Sequence, residues 1–144
     1  MPTGAVEQHG PHLPTGTDSI LSAAVCEAAA HLAAKPSTRD FVLAPGVPIG
    51  ASDHHLPFGG TISRKPETLM AVLSDIMLSM HSAGAKRLVI VNGHGGNVGI
   101  CHATAAAVLP VSEVPYPQVP SDFAEAGLFS LRVPACRCGL FLTL

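Results

Sequence analysis

The most constraining stretch of this chain is Arg87-Leu88-Val89-Ile90-Val91, which runs directly into Asn92-Gly93-His94-Gly95-Gly96-Asn97. After the arginine the run is wholly apolar and largely β-branched, with no polar–apolar alternation. That is the pattern of a strand covered on both faces, which belongs in a parallel sheet. Parallel strands need helical crossovers, and the sequence supplies them. Thr17 or Asp18 offers an N-cap for the Ala-rich run 19–34, a predicted helix stopped by Lys35-Pro36. Phe41 to Ala44 reads as a short buried strand ended by Pro45-Gly46. Pro66 fits the first turn of a second helix, whose Leu69, Val72, Leu73, Ile76, Met77 and Met80 share one face and which Gly84 ends. A third helix follows the glycine-rich turn to about Leu109. The order strand–helix–strand–helix predicts an α/β fold with a mostly parallel sheet. From Pro110 onward, Pro115, Pro117 and Pro120 cut the chain into short pieces, and 121–144 shows no firm period. The expected division is a domain over 1–109 and a Pro-rich tail over 110–144.

Composition narrows the function. At 144 residues, 47% hydrophobic and 12% charged, the chain fits one ordinary domain with ample material for a core. Eight Lys and Arg against ten Asp and Glu, with no basic cluster, argue against gripping a nucleic acid backbone. Aromatics at 4%, without Trp, argue against base stacking. A mean hydropathy of +0.38 invites a membrane reading. However, the longest apolar candidate, Ile20 to Ala34, is broken by Glu27 and His31, and a span needs about 20 nearly uncharged residues. No basic flank precedes an apolar stretch as in a secretory signal, and the thiols at 26, 101, 136 and 138 have neither CxxC nor disulfide-framework spacing. The expectation is a soluble, cytoplasmic protein. Histidine stands out, with eight residues, as many as Lys and Arg together.

Glu7 and His9 are two residues apart, so in an extended segment both side chains leave the same face. A carboxylate and an imidazole presented together form half of a divalent-metal site. Asp18, at the mouth of the first helix, reads by itself as an N-cap; with Glu7 and His9 it reads as a ligand able to bridge two ions. His94 lies at the C-terminal edge of the clearest strand, where open parallel sheets place ligands. Its flanking glycines would let backbone come close to an ion or substrate and permit positive φ in a tight turn. The spacing is not GxGxxG and no GK[ST] follows, so a phosphate cradle is the weaker reading. His54-His55 would point in opposite directions in an extended loop, leaving at most one for a site. His12 reads as a group orienting the first loop. His31, His81 and His102 fall on predicted helices and read as ordinary structural side chains. Cys136-x-Cys138 does not complete a tetrahedral site, and no GxSxG elbow is present.

Glu7-Gln8-His9-Gly10-Pro11-His12-Leu13-Pro14 with Gly16-Thr17-Asp18, then Gly59-Gly60-Thr61, then Asn92-Gly93-His94-Gly95-Gly96-Asn97, closely resemble the creatininase (creatinine amidohydrolase) family. The resemblance covers roughly residues 2–109. It implies an incomplete three-layer α/β/α creatininase-like fold. The implied activity is hydrolysis of a C–N bond (amide, cyclic amide or formamide) of a small-molecule substrate by a metal-activated water at a dinuclear site. The implied ions are Zn, Mn or Fe, two per subunit. By motif position, Glu7 and His94 would bind one ion, His9 the other, and Asp18 would bridge. His55 is the candidate for proton delivery to the leaving nitrogen.

The sequence departs from the family pattern in three places. It begins at the segment that a strand usually precedes. Its middle motif reads Asp53-His54-His55-Leu56-Pro57-Phe58-Gly59-Gly60-Thr61 in place of EH followed by FPGT. It also lacks the downstream HAGxxETS-like segment that would give a last carboxylate and a catalytic histidine. The competing expectation is therefore a truncated, inactive homologue with a residual or absent metal site. Missing cover over sheet edges further predicts a homo-oligomer or a poorly soluble product.

Overall fold

The computed structural model describes residues 1–34, 41–85, 87–108 and 140–143. Three strands, β1 (Pro2–Thr3), β2 (Val89–Asn92) and β3 (Leu140–Thr143), form a wholly parallel sheet in the order β1-β2-β3. Pro2 sits opposite Val91 and Thr3 opposite Asn92; Val89 to Asn92 face Leu140 to Thr143 in register. Helices α1 (Thr17–Ala34), α2 (Pro66–Ser82) and α3 (Val98–Val108) supply the crossovers.

Local chemistry accounts for these elements. The Ala-rich α1 carries high intrinsic helix propensity. Helix α2 opens with Pro66 at its first turn and closes near Gly84, whose φ of +95° favours glycine. Its Leu69, Leu73 and Met77, four residues apart, pack with Ile90 of β2 and with Cys101 and Ala105 of α3 in the main apolar cluster. Small residues on α3 let the two helices approach closely. The neighbouring Val91 is buried outside that cluster, as strand alternation requires, while α1 packs on β1 and β2. Helices thus cover both faces of the sheet. Burial pushes the Cys101 thiol up to about 11, so it is an inert core group.

Two expectations need correction. Residues 41–46 form no strand, and Phe41, Val42 and Leu43 are exposed; the sheet is met instead at Val47, in a single parallel bridge to Thr3. Pro45 and Pro48 flank that bridge and lack the N–H that a longer ladder would need. In the tail, Leu140–Thr143 is a strand although 121–144 showed no period. Three consecutive apolar residues and a threonine, paired along their length with β2, have no alternation to read. The expected boundary at 109/110 falls outside the described residues. Among the described residues, no helix is long and apolar enough to cross a membrane.

Candidate metal centre

The C-terminal end of β2 meets two loops. The first, between β1 and α1, leaves the sheet at Gly4, and Glu7 N–H donates to Thr15 O at 2.9 Å. Gly10, with φ +74°, turns the chain back just after His9. The loop thus closes on itself and returns Asp18, in the first turn of α1, to the side of His9. Asp18 does not act as a helix cap: its carboxylate faces two imidazoles. Oδ1 lies 2.9 Å from His9 Nε2, and Oδ2 lies 3.0 Å from His94 Nδ1. Glu7 Oε1 is 3.4 Å from His94 Nδ1 and 4.0 Å from His9 Nε2. Glu7, Asp18 and His94 are all buried, and each turns a donor atom to within 4.8 Å of the others'.

The hydrogen-bond assignment defines what this cluster lacks. His94 Nε2 lies 3.0 Å from Ala51 O, which can only accept, so Nε2–H points there and Nδ1 is turned toward the two carboxylates. His9 Nδ1 likewise donates to Glu7 O at 3.0 Å, which turns Nε2 toward Asp18. The Glu7 carbonyl is the main cause raising the His9 pKa above its ordinary value, with Asp18 adding to it and partial burial opposing. Glu7 Oε2 and Asp18 Oδ2 are buried without any hydrogen-bond partner. Buried carboxylate oxygens left unpartnered beside inward-turned imidazole nitrogens are the arrangement that a cation completes.

A third segment borders the cluster. Asp53–His55 forms a 3₁₀ turn with His55 N–H donating to Ser52 O at 2.9 Å. Successive side chains on such a turn diverge by about 120°, not the 180° of an extended loop. Both His54 and His55 therefore bring a ring nitrogen to within 4.8 Å of a Glu7 oxygen and of each other's, where an extended reading allowed only one. His55 Nε2 is 3.9 Å from Glu7 Oε1 and its ring is partly open to solvent, while its Nδ1 is buried without a hydrogen-bond partner. Its ring also meets that of Phe58 at 5.8 Å. The exposed His54 stacks nearly parallel to His94, with centroids 5.6 Å apart.

The structure thus brings Glu7, His9, Asp18, His94 and His55 together. His12 is exposed and only approaches Gly10. The glycines around His94 do not serve as expected: none has positive φ. A Cβ at Gly93 would strike Asp18 O and Ser22, and one at Gly96 would strike Ala51 O and the His94 ring itself, so these glycines admit the protein's own groups. Sequence reasoning also passed over Asn92, Asn97 and Ser52, all fully buried and hydrogen-bonded around His94. Two asparagines bracketing a turn were the available signal.

The sequence profile of the creatininase family, described as creatinine amidohydrolase, matches residues 1–126. The mycofactocin precursor peptide peptidase of Mycolicibacterium smegmatis is 45% identical over 108 residues, 75% of this chain and 42% of that protein. The creatinine amidohydrolase of Pseudomonas putida is 34% identical over 104 residues, 67% of this chain and 37% of that protein. A solved manganese creatininase superposes with a TM-score of 0.73 at 26% identity, over 99% of this chain and 48% of its own. The chain spans less than half the length of these relatives.

Proposed function

This chain belongs to the creatininase family, and on that footing we propose that it acts as a metal-dependent hydrolase of a C–N bond in a small amide, cyclic amide or formamide substrate. The observation that carries the reading is the convergence of Glu7, Asp18 and His94 Nδ1 with two carboxylate oxygens left unpartnered. Glu7 and His94 would hold one divalent ion and His9 the other. Asp18, with Oδ2 toward His94 and Oδ1 toward His9, would bridge them. Zn²⁺, Mn²⁺ and Fe²⁺ all suit such mixed nitrogen and oxygen donors. Bound there, the ions would polarise the substrate carbonyl and lower the pKa of water from 15.7 toward about 7, supplying a nucleophile without Ser or Cys.

The chain's own side chains divide the remaining work. The Ala51 and Glu7 carbonyls fix the rings of His94 and His9 from behind, so that each turns its other nitrogen inward. His55, beside Glu7 and partly open to solvent, would deliver a proton to the leaving nitrogen. A second reading, a homologue that holds metal without turnover, is favoured by ligand count. Among the described residues the second ion would have only His9 and Asp18.

Elemental analysis after dialysis, with an assay for amine release from creatinine-like and short peptide amides, tests both. Close to two ions and measurable hydrolysis are expected. H55Q should lower turnover by about 10²–10⁴-fold while retaining metal. Metal without hydrolysis would favour the second reading, and no retained metal would sink the hydrolase and leave an inactive homologue without a metal site.

A further inference from the structure

We propose that Gly96 and Asn97 are positioning residues that fix the aim of His94 through the Ala51 backbone. The inference rests on the proposed metal centre, concerns the chain's own hydrogen bonds and gives that centre its working geometry. The bond from His94 Nε2–H to Ala51 O, at 3.0 Å, holds the ring with Nδ1 toward the carboxylates. Ala51 sits between Pro48 and the Asp53–His55 turn and has no strand to hold it. Its neighbours are held by Ser63 Oγ, which accepts from Ser52 N–H at 2.8 Å, and by Arg64 N–H, which donates to Gly50 O at 2.8 Å. Its own N–H is held by Asn97.

The Asn97 Oδ1 accepts the Ala51 N–H at 3.0 Å, and Nδ2 donates to Gly4 O at 3.0 Å and to Asn92 Oδ1 at 3.2 Å. One donor and two acceptors around the amide leave a single orientation for it. Asn92 then grips the turn carrying His94: its Nδ2 donates to His94 O at 2.7 Å and its Oδ1 accepts from His94 N–H at 3.2 Å. A single fully buried side chain therefore ties together the exit of β1, which leads to Glu7, the Ala51 segment and the His94 turn.

Gly96 protects the same hydrogen bond sterically. A Cβ there would press on Ala51 O and come within 2.5 Å of His94 Nε2, wedging into the pair. Gly50 is its counterpart on the other strand of the contact, since a Cβ there would lie 2.5 Å from Asn97 Oδ1. The glycine-rich turn is shaped around a histidine's back hydrogen bond and leaves no cradle for a ligand's phosphate.

The test uses the 144-residue chain, labelled with ¹⁵N-histidine, and two substitutions, Gly96→Ala and Asn97→Ala. In the metal-free parent, His94 Nε2–H should appear as a slowly exchanging proton held by Ala51 O. In G96A, whose backbone φ is ordinary and whose site is exposed, the fold should persist while that proton exchanges freely. Zn²⁺ affinity should then fall by about ten- to a hundredfold, the range typical of lost outer partners of a ligating histidine. N97A should do the same if it folds. G96A carries the test if N97A does not. Retention of the protected Nε2–H and of parental Zn²⁺ affinity in G96A would overturn the proposal. Failure of the parent to bind Zn²⁺ would instead count against the hydrolase reading, since the Nε2–H is read without metal.

Discussion

Strand β2 divides two buried regions of opposite character. Ile90 enters a cluster of Leu69, Leu73, Met77, Cys101 and Ala105, where nothing but shape and apolar area is at stake. Two residues on, Asn92 enters a nest of Asn97, His94, Glu7, Asp18 and Ser52, just as dry, in which nearly every polar atom has a named partner. The exceptions are Glu7 Oε2 and Asp18 Oδ2, the latter 3.0 Å from His94 Nδ1. In the apolar region burial itself stabilises. In the polar nest it only breaks even while each group is paired, and it costs wherever one is not. Stability and function are therefore segregated along one strand, and substitutions should separate them.

The sharpest separation is at Glu7. Glu7→Gln removes one of two neighbouring buried carboxylates, the one whose Oε2 has no donor, and keeps its volume. The metal-free chain should melt at the same temperature or higher, by up to about 1 kcal/mol, because the amide can donate where the carboxylate cannot. The stabilisation by ion should vanish; for a parent site at a thousandfold excess over its Kd that is about 4 kcal/mol. Thermal melts with and without Zn²⁺ measure both arms. A marked loss of metal-free stability in E7Q would show that Glu7 is held for structure.

Leu73→Ala should do the reverse. Leu73 is fully buried among α2, α3 and Ile90, and truncation there leaves a cavity as well as losing transfer energy. About 3 kcal/mol of stability should go, with the gain on adding Zn²⁺ unchanged. Loss of the metal-induced shift in L73A would mean that the two regions are coupled through β2.

How much of this was legible in the letters depends on what each signal encodes. Strand β2 and helix α2 announce themselves because burial on both faces, or on one, leaves a period in the sequence. The ligand set could be assembled from local context, since Glu7 and His9 share a face and His94 ends a strand. Two kinds of fact were hidden. Phe41 to Leu43 look like a strand, but the prolines at 45 and 48 restrict pairing to Val47, and no propensity shows that in advance. The placement of His54 beside His55 depends on a 3₁₀ turn of three residues, too short for any periodicity. Asn97 was hidden more deeply: its role is a set of bonds to residues 46 and 93 positions away.

The smallest expected effect lies on the outer face of α1. Ile20, Leu21 and Leu32 are 57%, 55% and 68% exposed, a surface that neither buried region uses. For a monomer, Leu32→Glu should change stability by no more than about 0.5 kcal/mol, since little apolar area is withdrawn from water there. The glutamate replaces an apolar group in an Ala-rich helix at nearly equal propensity, so the helix itself gives no reason for a larger loss. The sequence, however, anticipates an oligomer. If a second copy covers this face, burying a charge at its centre would cost several times as much, and the loss would depend on protein concentration. Melting curves at two widely separated concentrations, with sedimentation on the same samples, decide the matter. A concentration-independent, near-zero change assigns the face to solvent. A large, dilution-sensitive one makes α1 a third buried region, stabilised by assembly where the first is stabilised by packing and the second by ligand.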